Sequence, residues 1–131
     1  MKQQDIVWVK LPFSSLEESK IRPAVIVSND EYNKRSNDVI LCAITSNLEE
    51  KLYSVIIDSK NLTEGKMPVK SRIRADKIMQ IEKNLVIKTF AKLENKAYDL
   101  LVNEINNLIC RKSQGVHPIN LSIGKARDFR A

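Results

Sequence analysis

The chain has 131 residues, a hydrophobic content of 43% and a net charge of +6 from 22 Lys and Arg against 16 Asp and Glu. That length suits one domain with one core, and no apolar run approaches the ~18 residues that a membrane-spanning helix needs. The positive excess sits in the second half, since residues 1–60 carry 8 Lys and Arg against 9 Asp and Glu, and residues 61–131 carry 14 against 7. Such asymmetry points weakly to a polyanionic partner.

The first element is D-I-V-W-V-K-L at 5–11, rich in β-branched and aromatic residues and therefore a strand, ended by Pro12. No secretory h-region or cleavage pattern stands in front of it, which leads to the expectation of a cytoplasmic protein. Residues 12–21 are polar, broken by serines and too short for a helix, so they read as a loop. A second strand, 23–28, is expected to begin at Pro23, because proline lacks a backbone N–H and is tolerated at a strand's first residue or edge. Arg22 then stands at the mouth of that strand. N-D-E-Y-N-K-R-S-N-D follows with turn chemistry from its Asn and Asp residues.

The run V-I-L-C-A-I-T at 39–45 is apolar on both faces and reads as a central strand. A charged connection over 46–51 leads to a fourth strand in Y-S-V-I-I-D, and N-L-T-E-G-K-M-P supplies a turn around Gly65. Residues 69–78 set Val69, Ser71, Ile73 and Ala75 against Lys70, Arg72 and Arg74, the alternation of a half-buried strand with a basic outer face. A sixth strand spans 85–90. Strands at this spacing with no helices between them suggest an antiparallel barrel or sandwich.

From 95 to 112 the pattern changes. Ala97, Leu100, Leu101, Ile105, Leu108 and Ile109 recur at helical spacing, with Asn95 as the N-cap and Arg111 and Lys112 suiting the C-terminal dipole. The expected architecture is mainly β, a small barrel closed by a C-terminal helix over residues 1–112, followed by a tail at 113–131. Cys42 and Cys110 both fall in apolar surroundings and read as reduced packing residues rather than a disulfide or metal pair. His117 lies in the tail beside Pro118 and suits a structural or solvated role.

The sequence contains no G-x-x-x-x-G-K loop, no G-x-G-x-x-G and no H-E-x-x-H, so nucleotide-phosphate chemistry by those routes and a metal or other cofactor are not expected. Arginine, hydroxyl and carboxylate chemistry remains. It suits RNA cleavage, where the 2′-OH is a built-in nucleophile and the enzyme supplies a proton acceptor and a cation for the developing charge. Arg22, at the start of the second strand, and Thr45 and Ser46, at the end of the third, meet at one end of the barrel if the two strands pair antiparallel with a register offset. On the residues alone the plainer reading is favoured, with Thr45 an ordinary strand-end residue and Arg22 a solvated loop charge. Lys70, Arg72 and Arg74 offer a basic row for RNA, Lys20 a phosphate contact, and Phe13 either a stacking platform or a buried anchor for its loop. Trp8, because it lies inside the first strand, reads as core or dimer interface rather than as an RNA platform.

D-I-V-W-V, K-I-R-P-A-V-I-V-S-N, V-I-L-C-A-I-T-S, S-R-I-R-A-D-K-I and N-E-I-N-N-L-I resemble, in order and spacing, the MazF/PemK toxins of type II toxin–antitoxin systems over roughly residues 4–110. The resemblance implies an SH3-like barrel with a C-terminal helix, working as a homodimer. It implies metal-independent, sequence-selective cleavage of single-stranded RNA, including mRNA, to 2′,3′-cyclic phosphate and 5′-OH ends, and inhibition by a cognate antitoxin protein. The family's functional arginine falls on Arg22 and its strand-three hydroxyl on Thr45. The loop glutamate that some members use as base falls on Glu17. Two rival functions share the fold: a non-catalytic RNA-binding barrel, and a toxin that binds gyrase. The first loop reads L-E-E-S-K-I-R-P with no glycine, where many members have G-S-E-Q-x-G-x-R-P, and the tail lies outside the family pattern.

Overall fold

The computed structural model describes residues 1–11, 20–49 and 52–111. Its strands are β1 (Asp5–Leu11), β2 (Lys20–Ile26), β3 (Asp38–Thr45), β4 (Ser54–Ile57), β5 (Leu62–Gly65), β6 (Ser71–Glu82) and β7 (Val86–Leu93). They form one curled antiparallel sheet in the order β4-β6-β3-β2-β1-β7-β5. A short helix α1 (Asp30–Arg35) joins β2 to β3, and helix α2 (Asn95–Ile109) closes the half-barrel. The mainly β barrel with a C-terminal helix expected from the sequence is thus the observed architecture.

Period-two alternation gives the sheet two apolar faces. On one, Val7, Val9 and Leu11 pack with Ala24, Ile26, Val39, Leu41 and Ile81. On the other, Ile6, Val25, Cys42, Ile44, Ile73 and Leu93 meet Ala97 and Leu101 of α2. β3 contributes to both clusters and sits inside the sheet between β2 and β6, as its two-sided hydrophobicity requires.

Several boundaries differ from the sequence reading. β2 starts at Lys20, so Pro23 lies within the strand. The reason is that Lys20–Arg22 pair only with β1, while the ladder to β3 begins at Ala24. Pro23 therefore sits where one side of the strand has no partner, and its missing N–H costs no ladder bond.

The segment read as a turn after β2 forms α1. Asn29 caps it by accepting the Tyr32 N–H at 2.8 Å, Asp30 and Glu31 occupy the first turn, and Lys34 and Arg35 the last. L-T-E-G, also read as a turn, is strand β5, and it pairs with β7. β6 runs from 71 to 82 and β7 from 86 to 93, each displaced toward the C-terminus of its expected span. In α2, Glu94 is the N-cap and Asn95 the first helical residue; the Asn95 Oδ1 instead accepts a bond from Gln4 Nε2 at 3.0 Å. The helix ends at Ile109, short of the basic pair at 111 and 112.

Candidate active site

β2 and β3 are in register at Ala24–Ala43, Val25–Cys42 and Ile26–Leu41. Continuing that register by two residues sets Arg22 across from Thr45, so no offset is needed to bring them to the same end. Alternation puts both on the face of Ala24, Ile26 and Leu41, at the open end of that core cluster. Beyond Ala24 the β2–β3 ladder stops, and the two strand ends, no longer paired with each other, border a cavity of about 500 Å³ that both Arg22 and Thr45 line. Arg22 is exposed, and no ion pair joins it among the described residues.

The Thr45 hydroxyl is oriented. Its Oγ1 accepts the Asn47 backbone N–H at 3.1 Å, which leaves the hydroxyl proton to be donated elsewhere. The same turn is fixed twice more: Glu49 N–H donates to Asn47 Oδ1 at 3.0 Å, and Arg72 Nε donates to the Asn47 carbonyl at 3.0 Å. Ser46, within this turn, also lines the cavity.

Arg72 departs from the expected basic outer row. It pairs with Thr45 across the β3–β6 ladder, is only 3% exposed, and spends its Nε on the turn that holds the Thr45 hydroxyl. The turn at 46–49 covers the face that alternation assigned to solvent.

Arg74, two residues on, does line the cavity. Its guanidinium is clamped by Asp76, with Nε to Oδ1 and Nη2 to Oδ2 both at 3.0 Å. Hydrogen bonding from Arg74 holds the Asp76 carboxyl below its ordinary range, with Arg72 adding a smaller effect in the same direction; the same bond raises Arg74 further. Because Asp76 takes the Nε proton and one Nη2 proton, the Nη1–Nη2 edge of the fork keeps two protons that can be donated together to an oxyanion.

The cavity thus collects Arg22, Thr45, Ser46 and Arg74 of the residues singled out from sequence. Lys20 and Lys70 are exposed and stand outside its lining, and Phe13 and Glu17 lie outside the described residues. Sequence reasoning missed Asp76, Lys77 and the Met67–Pro68 wall. The R-x-D spacing was a readable signal for Asp76, because residues two apart on a strand share a face. Trp8 is half-buried, lines the cavity and stacks on Phe90. The sequence reading prefers core or dimer interface to an RNA platform for Trp8, and its place in the cavity lining favours the platform.

The geometry is that of a groove with two arginines and one oriented hydroxyl donor, suited to a phosphodiester. Comparison with known proteins agrees with that chemistry. A family model for PemK-like, MazF-like toxins of type II toxin–antitoxin systems matches residues 2–109. An Endoribonuclease MazF of Staphylococcus saprophyticus is 30% identical over 120 residues, covering 91% of this chain and 95% of the relative. The fold matches MazF from Deinococcus radiodurans with a TM-score of 0.68 at 17% identity, over 82% of this chain and 94% of that one. It also matches a mycobacterial endoribonuclease solved in complex with its cognate antitoxin, with a TM-score of 0.67 at 15% identity, over 82% and 92% of the two chains. Residues 2–109 being most of the chain, the protein belongs to the family of PemK-like, MazF-like toxins of type II toxin–antitoxin systems.

Proposed function

We propose that this toxin is an endoribonuclease that cuts single-stranded RNA by attack of the 2′-OH on the adjacent phosphorus, leaving 2′,3′-cyclic phosphate and 5′-OH ends. The observation that carries the reading is the placement of Arg22 and the oriented Thr45 hydroxyl on one cavity where β2 and β3 part. Thr45 donates its proton to a non-bridging phosphoryl oxygen, and Arg22 neutralises the charge that builds as the fifth P–O bond forms. A preorganised donor of this kind is worth about 10²–10³ in rate. Glu17, which precedes β2 in the sequence, takes the 2′-OH proton, and the departing 5′-oxygen takes a proton from solvent to become the 5′-OH.

Arg74, held by Asp76, receives a neighbouring phosphate, with Ser46, Lys20 and Lys70 as further backbone contacts and Phe13 as a stacking group. Arg72 acts from beneath, through the Asn47 turn, and does not touch RNA. The toxin works as a homodimer in the cytoplasm and is inhibited by a cognate antitoxin whose segment covers the groove. No helix among the described residues is long and apolar enough to cross a membrane.

The test is incubation of purified protein with a long single-stranded RNA in excess EDTA, followed by labelling of fragment ends. Discrete fragments whose 5′ ends accept phosphate from a kinase without prior phosphatase treatment are expected. Intact RNA that is nonetheless bound would make the protein a non-catalytic RNA module, and intact, unbound RNA would favour a protein-targeting toxin.

A further inference from the structure

Trp8 is the chain's single tryptophan. Its ring stacks on Phe90 with centroids 4.7 Å apart and planes 19° from parallel. Alternation turns it to the Ile6 face of β1, opposite that of Arg22 and Thr45, and it lines the other side of the cavity that they border. On β1 its cross-strand neighbours are Pro23, next in the chain to Arg22, and Lys88 of β7. With Phe90 behind it, the indole is held in place before a ligand arrives, so it presents aromatic area at little entropic cost. Met67 and Pro68, whose side chains offer no strong hydrogen-bonding group, line the same cavity. Such walls accept the flat face of a ring and leave its polar edge unread.

We propose that Trp8, backed by Phe90, is the platform on which the nucleobase beside the scissile phosphate stacks. This deepens the ribonuclease reading of the cavity and rests on it. Arg22 and Thr45 hold the phosphate while the indole holds the base, and the two together fix the 2′-OH relative to phosphorus. Because every base has a π-face, the platform positions the strand and leaves sequence choice to the loops.

The single tryptophan makes its own emission the readout. The probe is a mixed-sequence RNA oligomer with 2′-O-methyl on every ribose, which removes the nucleophile, set against an abasic oligomer of equal length and charge. The methylated RNA quenches the emission saturably, and the abasic oligomer binds more weakly and without quenching. Trp8→Leu weakens binding of the methylated RNA by about 5- to 150-fold, the range expected for loss of one stacked base. Trp8→Phe, which retains a ring, recovers most of that loss. Saturable binding with unchanged emission, equal affinity for the two oligomers, or undiminished affinity in Trp8→Leu overturns the platform. Any of these in a protein that still cuts unmodified RNA leaves the ribonuclease reading intact. A wild-type protein that neither cuts RNA nor binds either oligomer overturns both.

Discussion

Arg72 and Arg74 stand two residues apart on one face of β6 and end in different settings. Arg72 is buried under the turn that follows β3, whereas Arg74 reaches the cavity in the grip of Asp76. Alternation in S-R-I-R-A-D shows that the two share a face; it does not reveal that a turn from elsewhere in the chain folds over half of it. The Asp76 carboxyl is lowered by its bond to Arg74, so the pair stabilises the fold above the ordinary carboxylate value of 3.8, and that contribution is lost as pH falls through the lowered folded value. Both side chains are partly solvated, at 34% and 39% exposure. Asp76→Asn should therefore cost less than about 1 kcal/mol at pH 7, and parent and variant should converge in acid, as measured by urea unfolding at a series of pH values. Cys42 gives a second residue-scale prediction. Burial, with a smaller effect from Asp76, pushes its thiol up to about 12, while Cys110 is half-exposed. A thiol-specific disulfide reagent at pH 8 should modify one cysteine quickly and the other only on unfolding.

Elements long enough to show a period were legible before the fold was known. β1, β3 and α2 declare themselves by apolar spacing, and β1 has the bounds that its sequence suggests. Among the elements absent from the sequence reading, α1 and β5 have 6 and 4 residues, too few for a period to emerge. In α1 the Asn and Asp residues that suit a turn serve equally well to cap a helix. β5 exists because β7 supplies its hydrogen-bonding partner, a cause that lies outside the segment. Its Gly65 has φ +80°, and a Cβ built there would lie 2.2 Å from the Phe90 carbonyl oxygen and 2.8 Å from the Ala91 Cα. Gly65→Ala should thus destabilise the protein by more than about 1 kcal/mol, read as a lowered urea midpoint with little change in slope. The same substitution disturbs the backbone beside Phe90, and so the support of Trp8.

For the molecule as a whole, one curled sheet carries a core on each face, and the cavity opens where β2 and β3 part. Arg22 and Thr45 are 23 positions apart in the sequence (45 − 22), and what brings them together is the β2–β3 register, a tertiary fact that neither segment contains. On composition and spacing alone Arg22 reads as a solvated charge; the resemblance over five segments is what implies a functional role for it. The structure adds the reason for its position. Pro23 tolerates a place in the strand where the β3 side is unpaired, and the gap left there is the proposed site. Single Arg22→Ala and Thr45→Ala variants test this account most directly, with single-turnover cleavage of RNA in EDTA as the readout and circular dichroism with thermal melting as the check on folding. The account predicts that each folded variant loses about 10²-fold or more in cleavage rate. Folded variants that cut RNA at the parental rate would contradict it.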